Sequence, residues 1–321
     1  MKRLLLLAVF CSGCGYVGEP LPPLLNIPSA ATDLEARQVG DRIRIEFTIP
    51  PLTTEGQVFT DLERVELRIG TAGEGQFSVD AWAAGATVLE GVQAQDGTVV
   101  FEAPAAPWVG REVVVGANIH ARNRRFSGWS NLASVSVVPP LGRPGSVAAS
   151  NVEPGVRLSW SGNAPSYRVF RRGPGQSEFT AVAEVQAAEW VDTATEYGEA
   201  YSYRVTGLTK TPTGEAVSDP SSAVQIVPED RFPPKPPSSV NAVASTSTIE
   251  LAWEPSPGAV DYAVYRAPAE GSWERTGSTA GVPSYSDKPP RSGEVYRYAV
   301  AARDAAGNES DKSEAVQVTA P

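Results

Sequence analysis

The second half of this 321-residue chain is written twice. One copy reads VRLSW at Val156–Trp160, YRVFRR at Tyr167–Arg172 and YSYRV at Tyr201–Val205. The other reads IELAW at Ile249–Trp253, YAVYRA at Tyr262–Ala267 and YRYAV at Tyr296–Val300. Tyr167 and Tyr201 are 34 residues apart, as are Tyr262 and Tyr296; Tyr167 and Asp192 are 25 apart, as are Tyr262 and Asp287. A repeat of this kind is one folding unit used more than once. Its segments alternate with period two: Leu158 and Trp160 fall on one face, Arg157 and Ser159 on the other. That is the pattern of half-buried antiparallel strands. Turn residues such as Gly173-Pro174-Gly175 and Ser256-Pro257-Gly258 separate them. Glycine (29) and proline (28) are frequent enough to break helices throughout. Short strands in each copy, with no helix-length periodic run, predict a β-sandwich.

A Trp closing an early strand, a Tyr opening the next and Y-x-Y-x-V near the end resemble fibronectin type III domains. The resemblance implies an all-β chain of tandem immunoglobulin-like sandwiches, with such domains at 143–228 and 236–320. It implies that Trp160 and Trp253 lie in cores between sheets. It puts Tyr201 and Tyr296 at the tyrosine-corner position, whose hydroxyl ties the corner backbone. Asp304–Ser310 is similar to the turn between the last two strands of bacterial members. Asp192 and Asp287 are equivalent in the repeat and read as turn caps. The first segment, 29–139, matches less closely. Arg44–Phe47 reads as its early strand, with Phe47 in place of Trp. Val65–Ile69 reads as the next, Val113–Ala121 as a late strand without Y-x-Y, Phe126–Asn131 as a late turn and Val135–Val138 as the last strand. Gly70 to Trp108 is longer than its counterparts. A divergent fibronectin type III domain with an insertion and a different sandwich are the two readings.

The N-terminus says where the chain is expected. Met1-Lys2-Arg3 is positive, and Leu4–Phe10 is apolar but far shorter than the roughly 20 residues of a spanning helix. This is the pattern of a signal peptide. Gly13-Cys14 after it resembles the bacterial lipobox, with Cys11 where Leu is usual. That resemblance implies removal of 1–13, diacylglycerol and palmitate-type acylation at Cys14, and a lipid-held protein of the bacterial cell envelope. Gly15, rather than Asp, points by the same resemblance to the outer membrane. The other reading is an ordinary secretory signal with two incidental cysteines. Residues 14–28 carry four prolines and read as a tether; alternatively Tyr16, Leu21, Leu24 and Leu25 pack on the first domain. Once Cys14 is acylated no disulfide is available, so the cores alone must hold the domains. The Pro-rich joints at 139–144 and 228–237 read as spacers, or less simply as a polyproline ligand.

Composition then narrows function. A net charge of −10 excludes a general nucleic-acid binder. Loss of Lys2 and Arg3 leaves a still more acidic body, which an anionic lipid surface repels. No metal or cofactor is expected from a chain with one histidine, His120, and no catalytic motif. His120 reads as a strand-face or core-edge residue. An enzyme would need convergent titratable groups, most readily in the 70–110 insertion. Trp82, Trp108, Trp129 and Trp273 are the candidate binding residues, as stacking platforms for a sugar or anchors for a protein. The plainer reading is that each covers its own domain's edge. Arg122, Arg124 and Arg125 form a short basic turn. The reading as a whole is a non-enzymatic, membrane-anchored envelope lipoprotein, an extended binding or spacer module for protein or polysaccharide contacts. The alternative is a carbohydrate-binding accessory of a polysaccharide-degrading system.

Overall fold

A computed structural model describes residues 25–321, except 74 and 290. The signal sequence, Cys11, Cys14 and most of the tether lie outside the described residues. Its regular secondary structure is nearly all strand, and the chain divides into two compact units.

The first unit comprises the described residues up to Arg143 together with Asn163–Pro165 and Gly207–Asp219. Its strands are β1 (Glu35–Val39), β2 (Arg42–Thr48), β3 (Leu62–Thr71), β4 (Thr87–Leu89), β5 (Ala94–Gln95), β6 (Thr98–Pro104), β7 (Glu112–Ala121), β8 (Phe126–Trp129) and β9 (Ala133–Ser136). One sheet runs β1-β2-β6-β5; the other runs β4-β3-β7-β8, with β9 also on β7. Alternation fills the space between them. Ile43, Ile45 and Phe47 of β2 meet Val65, Leu67 and Ile69 of β3 and Val113, Val115 and Ala117 of β7 in one buried cluster. Phe47 therefore occupies a core position, as its place in the early strand implied. Phe126–Trp129 is a strand on β7 rather than a turn, because Asn118 and His120 offer it an open edge. Gln38 is buried, and its side-chain amide donates to Val138 O at 2.8 Å and accepts from Val138 N at 2.9 Å. One side chain thus replaces a rung of strand pairing.

The edge of β1 is closed from far along the sequence. Within this unit β16 (Gly214–Val217) lies parallel to β1, with Gln38 opposite Ala216 and Val39 opposite Val217. Gly40 N donates to Val217 O at 2.7 Å, and Ser136 N donates to Thr213 Oγ1 at 2.7 Å. Gly40 has φ +56, and a Cβ there would come within 3.0 Å of the Asp219 carboxylate. A sequence boundary near 143 assigns this hairpin to the second domain; by packing, Gly207–Asp219 belongs to the first unit. An open strand edge invites pairing, and β16 is the strand that takes it.

The second unit holds the two repeats. The earlier has β10 (Gly145–Asn151), β11 (Val156–Ser161), β12 (Ser166–Arg172), β13 (Thr180–Val185), β14 (Glu189–Asp192), β15 (Tyr201–Thr211, of which Tyr201–Thr206 belong here) and β17 (Val224–Ile226). The later has β18 (Ser238–Ala244), β19 (Ile249–Glu254), β20 (Asp261–Pro268), β21 (Glu274–Thr279), β22 (Ser284–Asp287), β23 (Val295–Arg303) and β24 (Val316–Thr319). In the later copy a sheet β18-β19-β22 faces a sheet β21-β20-β23-β24. The earlier copy repeats the first as β10-β11-β14, and β13 on β12 and β17 on β15 match the outer pairs of the second. Each copy is a two-sheet antiparallel β-sandwich. Trp160 and Trp253 are buried and meet Tyr167 and Tyr262 edge-on, at centroid distances of 5.4 and 5.3 Å.

Candidate functional site

Two constellations gather the chemistry-bearing side chains. The first occurs twice. Asp192 closes β14 and is buried. Its carboxylate accepts from Arg171 Nη1 at 2.9 Å, from the Tyr203 hydroxyl at 2.9 Å and from Ala194 N at 3.0 Å. Asp287 closes β22 and accepts from Arg266 Nη1 at 2.8 Å, from the Tyr298 hydroxyl at 2.6 Å and from Thr276 Oγ1 at 3.0 Å. Arg171 and Arg266 also lie over the rings of Tyr201 and Tyr296, at 5.7 and 5.6 Å. The aspartates belong to one sheet of each sandwich, the arginines and tyrosines to the other. The turn-cap reading holds for Asp192, but the larger job is a tie between sheets. Burial, then the hydrogen bond to the aspartate, pushes both tyrosine hydroxyls far above their ordinary titration range. Every group is committed to a neighbour, so the cluster presents no free acid or base.

The tyrosine corner forms in only one copy. The Tyr201 hydroxyl accepts from Glu196 N at 3.0 Å. The Tyr296 hydroxyl instead meets Glu294 Oε2 at 3.5 Å, because Arg291 holds that carboxylate nearby at 3.1 Å.

The second constellation covers the outer face of β3 and β7 in the first unit. The insertion after β3 opens with helix α1 (Val79–Gly85). Ser78 caps it, Asp80 sits in its first turn where the helix dipole favours a negative charge, and alanines propagate it. The helix lies on two glycines. A Cβ on Gly116 would come within 2.6 Å of Leu132 and 2.8 Å of Trp82; one on Gly70 would come within 3.0 Å of Ala86. Trp82 fits the gap at 3% exposure, among Ala83, Val114, Leu132 and Trp129. Trp129 meets it edge-on at 5.1 Å, and Arg68 lies over Trp129 at 5.5 Å.

Beside these rings Glu66 is buried although it points outward from β3. Arg68 Nε donates to its Oε1 at 2.6 Å, Arg64 stands 3.3 Å from Oε2, and His120 Nε2 stands 2.9 Å from Oε2. Burial alone would raise the Glu66 titration. The Arg68 hydrogen bond and charge, with His120 and Arg64, outweigh it and hold the carboxyl below its usual value. Arg68 also donates to Ala83 O, which joins the ion cluster to the helix.

These contacts place the four tryptophans. Within the first unit the structure brings Trp82 and Trp129 together. Of the two readings of Trp82, an exposed platform and a cover for its own domain, the second fits: helix α1 folds the indole into the glycine-lined gap. Trp108 packs half-buried against the first core, and Trp273 lies half-buried under Arg297 at 5.1 Å. Among its described residues the insertion brings no acid–base pair together. The depression along its later part, 530 Å³, is lined by one carboxylate, Asp96. Among the described residues no three His, Cys, Asp or Glu side chains gather as a metal site requires. Sequence reasoning missed Glu66. Alternation marked it as outward-facing, and nothing local signalled the partners that cover it.

No protein-family model matches the chain. An amylopullulanase of Thermoanaerobacterium saccharolyticum is 35% identical over 86 residues, 26% of this chain and 7% of that protein. Exoglucanase B of Cellulomonas fimi is 30% identical over 195 residues, 55% of this chain and 16% of that protein. An amylopullulanase of Thermoanaerobacterium thermosulfurigenes is 34% identical over 83 residues. The chain thus spans less than a fifth of each curated relative. The crystal structure of the FN1-FN3 domains of chicken CNTN1 aligns over 91% of this chain and 99% of that one, with 13% identity and a TM-score of 0.30.

Proposed function

We propose that this chain is a non-catalytic spacer and binding module of a bacterial cell envelope, anchored to the membrane by a lipid on Cys14 and serving protein or polysaccharide contacts. One observation carries the non-catalytic reading. In both repeats the buried aspartate, arginine and tyrosine are spent on one another, in the same geometry, as a tie between sheets. Catalytic groups differ from this in keeping a free valence toward a cleft. The relatives add context, since their names denote polysaccharide-degrading enzymes and the matched stretches are a small part of them. An accessory role beside such enzymes is in keeping with that.

Direct sugar stacking by the tryptophans is the second reading, favoured by those names. It ranks lower because Trp82 is buried and Trp129 is engaged by Trp82 and Arg68. Fractionation of cells expressing the native chain and Cys14→Ala tests the anchor: the native protein is expected with membranes and the variant outside them. Co-sedimentation with insoluble starch and cellulose tests the second reading. Tight binding lost on Trp129→Ala or Trp273→Ala would promote it over the first.

A further inference from the structure

The described chain begins at one end of the first sandwich, and that end has an unusual surface. Leu25 N donates to Glu55 Oε1 at 3.3 Å, Thr54 N donates to Ile27 O at 2.9 Å, and Ser29 N donates to Leu52 O at 3.3 Å. The entering chain is therefore fastened to the loop between β2 and β3. On its other side Asn123 of the β7–β8 turn donates to Leu25 O and Asn26 O, at 3.5 and 3.4 Å. Arg122 N donates to Asp61 O at 3.1 Å and joins turn to loop.

Around this point apolar side chains stand in water. Val58 is 72% exposed, Phe126 58%, Leu25 46% and Leu52 44%. Burial in the sandwich core explains none of them. Between them the turn carries Arg122, Arg124 and Arg125, all exposed, and none forms an ion pair among the described residues. The turn itself, ARNRRF, holds no carboxylate. Glu55 and Asp61 lie at the same end, and Glu55 is occupied by Leu25 N–H. Free arginines beside exposed Phe, Leu and Val are the composition of a surface that lies in a lipid interface.

Chain length limits what can cover it. Cys14 and Leu25 are eleven residues apart, a reach of at most about 40 Å. A lipid on Cys14 keeps this end within that distance of the bilayer and raises its local concentration there. We propose that this end of the first sandwich docks on the anionic lipid surface that holds Cys14, with Arg122, Arg124 and Arg125 at the headgroups and Leu52, Val58 and Phe126 in the interface. The proposal rests on the lipid-anchor reading above. It reconciles an acidic body with a negatively charged membrane, because repulsion is offset at the one end that must come close.

The test uses the acylated full-length protein on vesicles of phosphatidylglycerol and phosphatidylethanolamine. Acylation leaves no other thiol, so Val58→Cys can carry an environment-sensitive fluorophore at an exposed position, with Val243→Cys as the control. Flotation reads the anchor; the label reads the docking. The expected result is a protein that floats, with a Val58 label that is blue-shifted and quenched by spin-labelled lipid, and a Val243 label that stays wet. The triple variant Arg122→Glu, Arg124→Glu, Arg125→Glu should still float. Losing three arginines, each worth about fivefold near an anionic surface, should weaken its docked state by at least on the order of a hundredfold, and the three added carboxylates should weaken it further. Protein that floats with a wet Val58 label overturns the docking and leaves the anchor standing. Protein that does not float overturns both. A label protected only by added peptidoglycan sacculi overturns the docking in favour of a wall polymer.

Discussion

The hydroxyl of Tyr298 donates to Oδ2 of Asp287 at 2.6 Å, from one sheet of the third sandwich to the other. The same atoms meet at Tyr203 and Asp192 in the second, at 2.9 Å. In a low-dielectric core such a contact stabilises only while every member stays paired. Asp287 has Arg266, Tyr298 and Thr276 as partners. Tyr298→Phe removes one of three and is expected to cost about 1 kcal/mol. Asp287→Ala strands a largely buried guanidinium and a buried hydroxyl and is expected to cost roughly 3–5 kcal/mol. Urea unfolding of both variants checks the order; equal costs would mean that the aspartate acts only as a cap.

Trp253 fills the third core against Tyr262, and its indole nitrogen has no hydrogen-bond partner among the described residues. Its contribution is therefore packing. Trp253→Ala should lower stability by roughly 3–5 kcal/mol, and Trp160→Ala should do the same in the second domain. Calorimetry reads both; a near-neutral Trp253→Ala would place the indole outside the core.

The legible part of this fold is the part written locally. Trp160 and Trp253 announce their burial because a period of two needs only five residues to show. The equivalence of Asp192 and Asp287 was legible for the same reason, since the repeat aligns them. Their partners were not. Arg171 reaches Asp192 across the space between two sheets, and no spacing in the sequence encodes that approach. Trp82 fails differently. VDAWAAG is too short to display a helical period, and its burial depends on Gly70 and Gly116, which stand diagonally across the paired strands β3 and β7. The parallel pairing of β16 with β1 joins residues 38 and 216, beyond any local signal.

Gly116 gives the helix its seat. A side chain there must displace Leu132 or Trp82, both closely packed. Gly116→Val should cost about 1–3 kcal/mol through overpacking. It should also red-shift tryptophan emission as Trp82 meets water. Gly128→Ala, within β8 and in open space but at φ +77, is the contrast: it should cost stability through backbone strain and leave emission unchanged. A Gly116→Val protein with native emission would show that the helix is not seated there.

Acid should loosen the first unit at Glu66. Its carboxyl titrates below the usual 4.5 in the folded chain, because Arg68, His120 and Arg64 stabilise the charge more than burial penalises it. A lowered folded value means that the charged form binds to its surroundings better than in the unfolded chain. The stabilisation is therefore complete above about 4.5 and disappears as the pH falls through the lower folded value. Glu66→Gln keeps the shape and removes the charge. At pH 7 the variant should be less stable than the native chain by roughly 1–3 kcal/mol. Below pH 4.5 the gap should shrink, as the native glutamate becomes neutral as well. Denaturant midpoints of both proteins between pH 7 and pH 3 give the difference directly, with the other carboxylates cancelling between them. A gap that stays constant across that range would show that the Glu66 charge contributes nothing through Arg68 and His120.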